Sequence, residues 1–360
     1  MAPAAGMPVV DADGHVYESA AEIYDFLPAP YAGRATVLGF PLWPTPDGFQ
    51  RGAIHARLGL HRSFDVDARA WLDFLDAAGI GATVLYPTAG LATGMIRDPD
   101  WAVALCRAYN DWLAARFLAA SPRLGGVALL PLQDPSSAAE ELRRAATTLG
   151  MVGGVLPAVG LSRALGDAAF DPVYEEAQRL DVPVAVHGGP SQGLALERLR
   201  HFGQVHALAH PFAQMMQLTS VLMSGVLDRF PRLRIAFLEA GVGWVPYLLE
   251  RMDRAFHVRR FPEYVGGVQG EPSTYVRGGR VYFTPEPGES GLAAAVTAIG
   301  PGALLFASDF PHEVNLERCR EELGHLARRD DVGPDVRRAL LGENARRFYR
   351  LRADDVARAA

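Results

Sequence analysis

Residues 124–159 read LGGVALLPLQDPSSAAEELRRAATTLGMVGGVLPAV, and the order of patterns within them decides the fold. LGGVALLPL (124–132) is a near-continuous apolar run of strand length. SAAEELRRAATTLG then places its apolar residues at helical spacing, and MVGGVLPAV (151–159) is a second apolar run. Strands covered on both faces and joined by a helix belong to a parallel sheet, because a parallel return needs a crossover of helix length. The same alternation extends in both directions. PVVDADGHV (8–16) and ATVLYP (82–87) precede the unit, and VPVAVHGG (182–189), LRIAFLEAG (233–241), VYFTP (281–285) and LLFASDFPH (304–312) follow it, making eight candidate strands. Between them lie helical patterns such as ARAWLDFLDAAG, WAVALCRAYNDWLAARFLAA, FDPVYEEAQRL, AQMMQLTSVLMSGVLDRF and GWVPYLLERMDRAF. Strand then helix, repeated eight times, predicts an α/β chain folded as a (β/α)8 TIM barrel. An open doubly wound sheet is the competing arrangement, but no G-x-G-x-x-G turn follows the first strand.

The chain of 360 residues suits one barrel domain over 1–360 with insertions. Three segments fall outside the repeat. The stretch from about 26 to 67, rich in Pro, Gly and aromatics (Tyr31, Phe40, Trp43, Phe49), follows the first strand and reads as a lid over the barrel mouth or an oligomer contact. An extra loop at about 261–280 contains GGVQGEPSTYVRGG. A helical tail at about 332–360, containing LLGENARRFYRL, reads as packing.

A hydrophobic share of 49%, a charged share of 21% and a net charge of -6 are those of a soluble globular protein without a basic footprint for nucleic acid. No apolar run is long enough to cross a bilayer, and MAPAAGMPVV lacks the charged and apolar regions of a signal peptide, so a cytoplasmic location is expected. Cys106 and Cys319, far apart on helical patterns, read as free thiols.

The first strand ends in Asp11-Ala-Asp13-Gly-His15, and residues two apart on a strand share a face, so all three polar side chains can point inward. Carboxylates and an imidazole inside a barrel cost several kcal/mol unless compensated, and a cation compensates them. Asp and Gly also suit a helix cap or turn, so context must decide. The context is two further ligand-type residues at carboxyl strand ends, His187 after VAV and Asp309 in FASDFPH, where barrel active sites are built. A lone histidine there reads more simply as a core residue, but convergence from three strand ends favours a metal. Asp13, His15, His187 and Asp309 form a mixed oxygen and nitrogen set for one divalent ion. Zinc is the first expectation and Mn, Fe or Co are alternatives, with a position left open for water or substrate.

These residues resemble the amidohydrolase-related family typified by aminocarboxymuconate semialdehyde decarboxylase and the resorcylate-type aromatic decarboxylases. The resemblance rests, in order, on DADGHVYE, HGG after the fifth strand, SGVLDRFPRLRIAFLEAGVGWVPYLLERMD, ASDFPHE and LGENARRFYRL, and covers most of the chain. It implies the (β/α)8 barrel, a metal held at Asp13, His15, His187 and Asp309, and dimerisation. Two departures stand out. The first ligand is Asp13 where the family more often has His or Glu, and Glu239 stands where decarboxylating members carry a His before Gly-Gly. A glutamate beside a metal can act as a base or as a fifth ligand.

Two further residues are candidates near the mouth. His210, at the start of the long helix, can overhang it or simply pack against the lid, and His312 can orient Asp309 or a substrate group. His201 and His206 read as surface residues beside Arg198 and Arg200. Asp11 supports the backbone or the ligands, and Glu18 reads as structural. Met215, Met216 and Met223 are core packing. Arg51, Arg57 and Arg62 can clamp a substrate carboxylate, although solvated loop charges are the simpler reading.

The expected function is divalent-metal-dependent cleavage of a small cyclic, aromatic or enolic acid, foremost non-oxidative decarboxylation, with Glu239, His210 and His312 as catalytic candidates. A metal-dependent hydrolase of an amide, ester, lactone or C–C bond, with Glu239 as base, is the alternative. A barrel that binds a ligand without chemistry is the third reading.

Overall fold

The computed structural model describes residues 8–32, 41–44, 66–258, 264, 266–352 and 356. Seven parallel strands pair in chain order: β1 (Val9–Val16), β2 (Ile80–Pro87), β3 (Leu124–Leu129), β4 (Gly153–Pro157), β5 (Val184–His187), β6 (Ile235–Phe237) and β7 (Val281–Phe283). Helices cover the sheet: α1 (Ala68–Ala78), α2 (Pro99–Arg116), α3 (Pro135–Thr148), α4 (Asp171–Leu180), α5 (Phe202–Met223), α6 (Trp244–Val258), α7 (Leu292–Ile299) and α8 (Leu316–Arg328). This is a TIM-type α/β barrel. The strands are buried along nearly their whole length, as their continuous apolar runs require.

The eighth expected strand forms a seam instead of a regular strand. Leu305 donates its N–H to the Phe283 carbonyl at 2.9 Å, and Phe306 accepts from Ala12 N at 2.8 Å, so this segment joins β7 to β1. Two of its own N–H groups leave the ladder, however. Phe306 N donates to Leu340 O at 3.1 Å and Ser308 N to Asp11 Oδ1 at 2.8 Å. Regular pairing ends where those partners take over.

Helix starts follow local chemistry. Asp67, Asp98 and Asp134 each accept from a first-turn N–H of α1, α2 and α3, and Pro99 and Pro135 follow two of these caps. Helix α5 begins at Phe202, earlier than the apolar pattern indicated, and runs through Pro211, so His210 lies within the helix and not at its start. Gln204 on its first turn accepts from His201 N at 3.2 Å, a start signal without apolar character.

The described part of the segment after β1 packs on α2, with Tyr31 against Trp101 and buried Trp43 against Tyr109. Phe40, Phe49, Arg51, Arg57 and Arg62 lie outside the described residues. Before β7, a single turn (Pro272–Tyr275) and a wide turn (Val276–Arg280) fill the described part of the extra loop. In the tail, helix α9 (Asn344–Tyr349) sends Tyr349 into the barrel, where its hydroxyl donates to Ala12 O at 2.8 Å and meets the Tyr86 hydroxyl at 2.6 Å. Cys106 and Cys319 are buried free thiols, and no helix among the described residues is long and apolar enough to cross a membrane.

Candidate metal centre

The DADGH motif is shaped by a break in strand register between Asp11 and Gly14. A Cβ at Gly14 would collide with the Trp71 ring and the Thr83 hydroxyl, so only glycine lets β1 approach its neighbours this closely. The break also separates the two aspartates. Asp11 accepts from Thr83 Oγ1 and Ser308 Oγ, both at 2.7 Å, and from Ser308 N at 2.8 Å, tying β1 to β2 and to the seam. It therefore supports the backbone, as expected. Asp13 instead faces the barrel mouth, fully buried, and neither of its carboxylate oxygens has a hydrogen-bond partner among the described residues.

The two histidines are set up as ligands by their other ring nitrogens. His15 Nδ1 donates to Pro87 O at 2.9 Å and His187 Nδ1 to Gly188 O at 2.8 Å. A carbonyl only accepts, so each neutral imidazole presents a bare Nε2 to the site. Oxygens of acidic side chains crowd those lone pairs. Asp13 lies 3.5 Å from each Nε2, and Glu239 Oε1 lies 2.9 Å from that of His15 and 3.3 Å from that of His187. Acceptors facing acceptors at such range repel unless a cation, proton or metal, sits among them. Asp13, His15, His187 and Glu239 offer four ligand atoms within 4.8 Å of one another, and His15, Glu239, Asp309 and His312 form a second such group. The residues present fit a divalent ion.

Asp309 stands at the edge of this cluster, its Oδ1 3.7 Å from His15 Nε2 and 2.8 Å from His312 Nδ1. On its far side His312 Nε2 lies 2.8 Å from Thr88 Oγ1, whose hydroxyl donates to Val16 O at 2.7 Å. With its hydrogen committed, Thr88 accepts from His312 Nε2–H, which leaves Nδ1 turned toward Asp309. His210 approaches from α5, its Nδ1 3.5 Å from Glu239 Oε2. Its ring rests on Gly188, where a Cβ would come within 2.5 Å of it, and one helical turn later Gln214 Nε2 anchors α5 to Val186 O and Leu238 O. Side-chain exposure separates a dry floor from a wet rim: 0% at Asp13, His15 and His187, but 13% at Glu239, 18% at His312, 21% at His210 and 30% at Asp309.

The charges respond to this crowding. Burial pushes Asp13 above its ordinary range, and burial together with Glu239 pushes Asp309 well above it. Burial works against a charged His187, yet the carboxylates of Glu239 and Asp13 outweigh it and hold the imidazole well above its usual value. The two imidazoles in turn overcome burial at Glu239 and hold its carboxyl well below the glutamate range.

The structure thus gathers Asp13, His15, His187, Glu239, His210, Asp309 and His312 in one place. Glu239, expected to move a proton, lies among the ligand atoms. Exposed His206 pairs with Glu313 at 3.4 Å, exposed His201 precedes α5, and Glu18 accepts three backbone N–H groups from Thr88 to Gly90. Sequence reading missed Thr88, Thr284 and Gln214. The first two were findable, since each is a polar residue at the carboxyl end of a strand.

An amidohydrolase family profile matches residues 10–351. Gamma-resorcylate decarboxylase from Rhizobium sp. (strain MTP-10005) is 29% identical over 306 residues, covering 81% of this chain and 89% of that protein. The 2-amino-3-carboxymuconate-6-semialdehyde decarboxylase of Dictyostelium discoideum is 25% identical, covering 80% and 79%. Among solved structures, 5-carboxyvanillate decarboxylase from Novosphingobium aromaticivorans, complexed with manganese and 4-hydroxy-3-methoxy-5-nitrobenzoic acid, superposes with a TM-score of 0.74 at 20% identity, covering 96% of this chain and 97% of that one.

Proposed function

The chain belongs to the amidohydrolase family, and from that premise we propose that it carries out metal-dependent, non-oxidative decarboxylation of a small hydroxylated aromatic acid. The observation that carries this reading is the buried Asp13 carboxylate, without hydrogen-bond partners among the described residues, facing the bare Nε2 atoms of His15 and His187. Those three residues would hold the ion, with Glu239 and Asp309 completing the set. A bound divalent ion supplies Lewis-acid attraction for the acid's carboxylate and adjacent ring oxygen. Zinc is the ion expected from the sequence. The oxygen-rich set also suits manganese, the ion carried by the solved 5-carboxyvanillate decarboxylase.

The remaining chemistry falls to the rim. As carbon dioxide leaves, the electron pair of the broken C–C bond stays on the ring carbon, which takes up a proton. The Asp309 and His312 pair delivers it. Asp309 is the most exposed of the cluster's acidic residues, and His312 Nδ1 stands 2.8 Å behind it, placed to pass on a proton when its ring is protonated. Glu239, held well below the ordinary glutamate range between the imidazoles, suits a ligand and not an acid. His210 flanks its other oxygen and can meet the substrate. Expected from the family and the composition, a homodimer in the cytoplasm completes the proposal, the first part to be read from the mass in solution.

Purification in chelator-free buffer followed by metal analysis and a carbon dioxide assay tests the reading. Gamma-resorcylate, 5-carboxyvanillate and related hydroxybenzoates form the panel. Metal near one equivalent with carbon dioxide release is expected. A loaded protein silent on that panel but active on amides or lactones would replace decarboxylation with hydrolysis and Glu239 as base. A protein that holds no metal and turns over nothing would leave a ligand-binding barrel.

A further inference from the structure

The amino-terminal face of the barrel, opposite the metal centre, carries a concavity of about 510 Å³ lined by Arg232, Arg234, Arg280, Arg346, Arg347 and Arg350. Three separate stretches of chain deliver these side chains. Arg232 and Arg234 precede β6, Arg280 immediately precedes β7, and the other three lie on α9 or just after it. Like charges gathered from distant parts of a sequence repel, so the neighbouring groups decide whether this is an internally balanced network.

It is not balanced among the described residues. Asp181 serves two of the arginines, with Oδ1 2.5 Å from Arg234 and Oδ2 2.7 Å from Arg350. Asp228 acts on Arg280 at longer range, and Arg280 otherwise donates to the Leu227 and Phe230 carbonyls and lies over the Tyr275 ring. Carbonyls satisfy hydrogen bonds without cancelling charge. Arg232 makes only a 3.5 Å contact to the Gln178 carbonyl through its guanidinium, and the guanidiniums of Arg346 and Arg347 make no ion pair or hydrogen bond among the described residues. The carbonyl end of α9 lowers the cost of holding them but supplies no carboxylate. Among the described residues, six guanidiniums against two aspartates leave an excess of about four positive charges, in a chain whose net charge is -6.

We propose that this concavity binds a small multivalent anion of the diphosphate class. Guanidinium forks match phosphate oxygens in pairs, and several converging forks favour a ligand carrying two adjacent phosphates over a single carboxylate. The volume lies within the range of roughly 300–1,000 Å³ usual for small-molecule sites. The position points to a stabilising role. Arg234 also donates to Phe348 O at 3.0 Å, so a bound anion would tie the tail helix to the strands whose other ends carry Glu239 and Thr284.

The probe is inorganic pyrophosphate, titrated calorimetrically into the metal-loaded protein at matched ionic strength and fixed free metal concentration. One saturable site is expected, with a rise in melting temperature that added chloride does not reproduce. Arg346→Ala/Arg347→Ala should bind at least tenfold more weakly. Asp13→Asn, altered only at the metal centre, should bind as the wild type does. If the double variant folds poorly, Arg232→Ala, which removes an exposed side chain, should still weaken binding several-fold. Absence of saturable binding, equal affinity in the wild type and the double variant, or loss of binding in Asp13→Asn would each overturn the proposal.

Discussion

Glu239 and Asp309 share a backbone conformation that neither residue type prefers, with φ of 53° and 52°, one just beyond β6 and the other in the seam that closes the barrel. Left-handed geometry at a residue other than glycine costs about 1–3 kcal/mol and persists where the surroundings impose it. Here Glu239 N donates to Thr284 Oγ1 at 2.8 Å and Asp309 N to Asp13 O at 3.1 Å, fixing both side chains toward the imidazoles. Glu239→Gly and Asp309→Gly should therefore each raise the stability of the metal-free protein, by about 1 kcal/mol or more, while abolishing turnover. Chemical denaturation alongside the carbon dioxide assay checks both; a loss of stability in both variants would show that the backbone there is not strained.

Metal uptake should release protons and strengthen as pH rises. Without a cation, His187 and Asp309 are both held toward their protonated forms by neighbouring carboxylates and burial, so an ion must displace a proton to bind. Titrating metal into weakly buffered protein at neutral pH should acidify the solution by about one proton per ion. Uptake without acidification would show that the cluster carries no proton to displace.

The same shifts set the sign of stability against pH. A raised His187 pKa contributes stability fully present below its ordinary value of 6.5 and lost as pH rises through the folded value, and the raised Asp309 acts in the same direction. The metal-free protein should thus lose stability on passing from neutral to alkaline pH. The loaded protein should lose less, because the ion replaces the proton. Melting curves at several pH values, with and without metal, read the difference directly.

Removing Thr88's hydroxyl should disturb the chemistry more than the fold. Thr88→Val leaves His312 Nε2 without its acceptor, at about 1 kcal/mol of stability, and frees the ring to turn from Asp309. Turnover should fall by about tenfold or more with little change in bound metal, and the pH profile should shift. Thr88→Ser should restore most of it.

Gly14→Ala should destabilise the fold by about 1–3 kcal/mol, because the added methyl meets the buried Trp71 ring and Thr83. Trp71 Nε1 donates to His15 O at 3.1 Å, so the displaced ring would also disturb a ligand strand, and metal affinity should fall with stability.

Much of this was legible in one dimension. The alternation of apolar runs and helical periods is local, so it gave the parallel order and seven strands, and it placed His187 at the end of β5. The seam at 304–309 was harder to foresee, because two of its N–H groups go to Leu340 O and to the Asp11 side chain, partners remote in sequence. The beginning of α5 was misplaced for a local reason: Val205 and Ala209 do lie buried at helical spacing, but Pro211 reads as a first-turn residue and moved the expected start to it.

The sequence by itself determined which residue types stand at the strand ends, because strand period and chain order are properties of neighbours. Only the tertiary structure decided their roles. It separated Asp11 from Asp13 through a register break enforced at Gly14, brought Glu239 within 2.9 Å of His15, and left Asp309 at the open rim with His312 behind it. Those distinctions depend on which lone pairs already have partners and which side chains reach water. Most are settled by contacts remote in sequence, with His15 and Glu239, and Thr88 and His312, each 224 positions apart, whereas the Asp309 and His312 pair is local and was legible in FASDFPH.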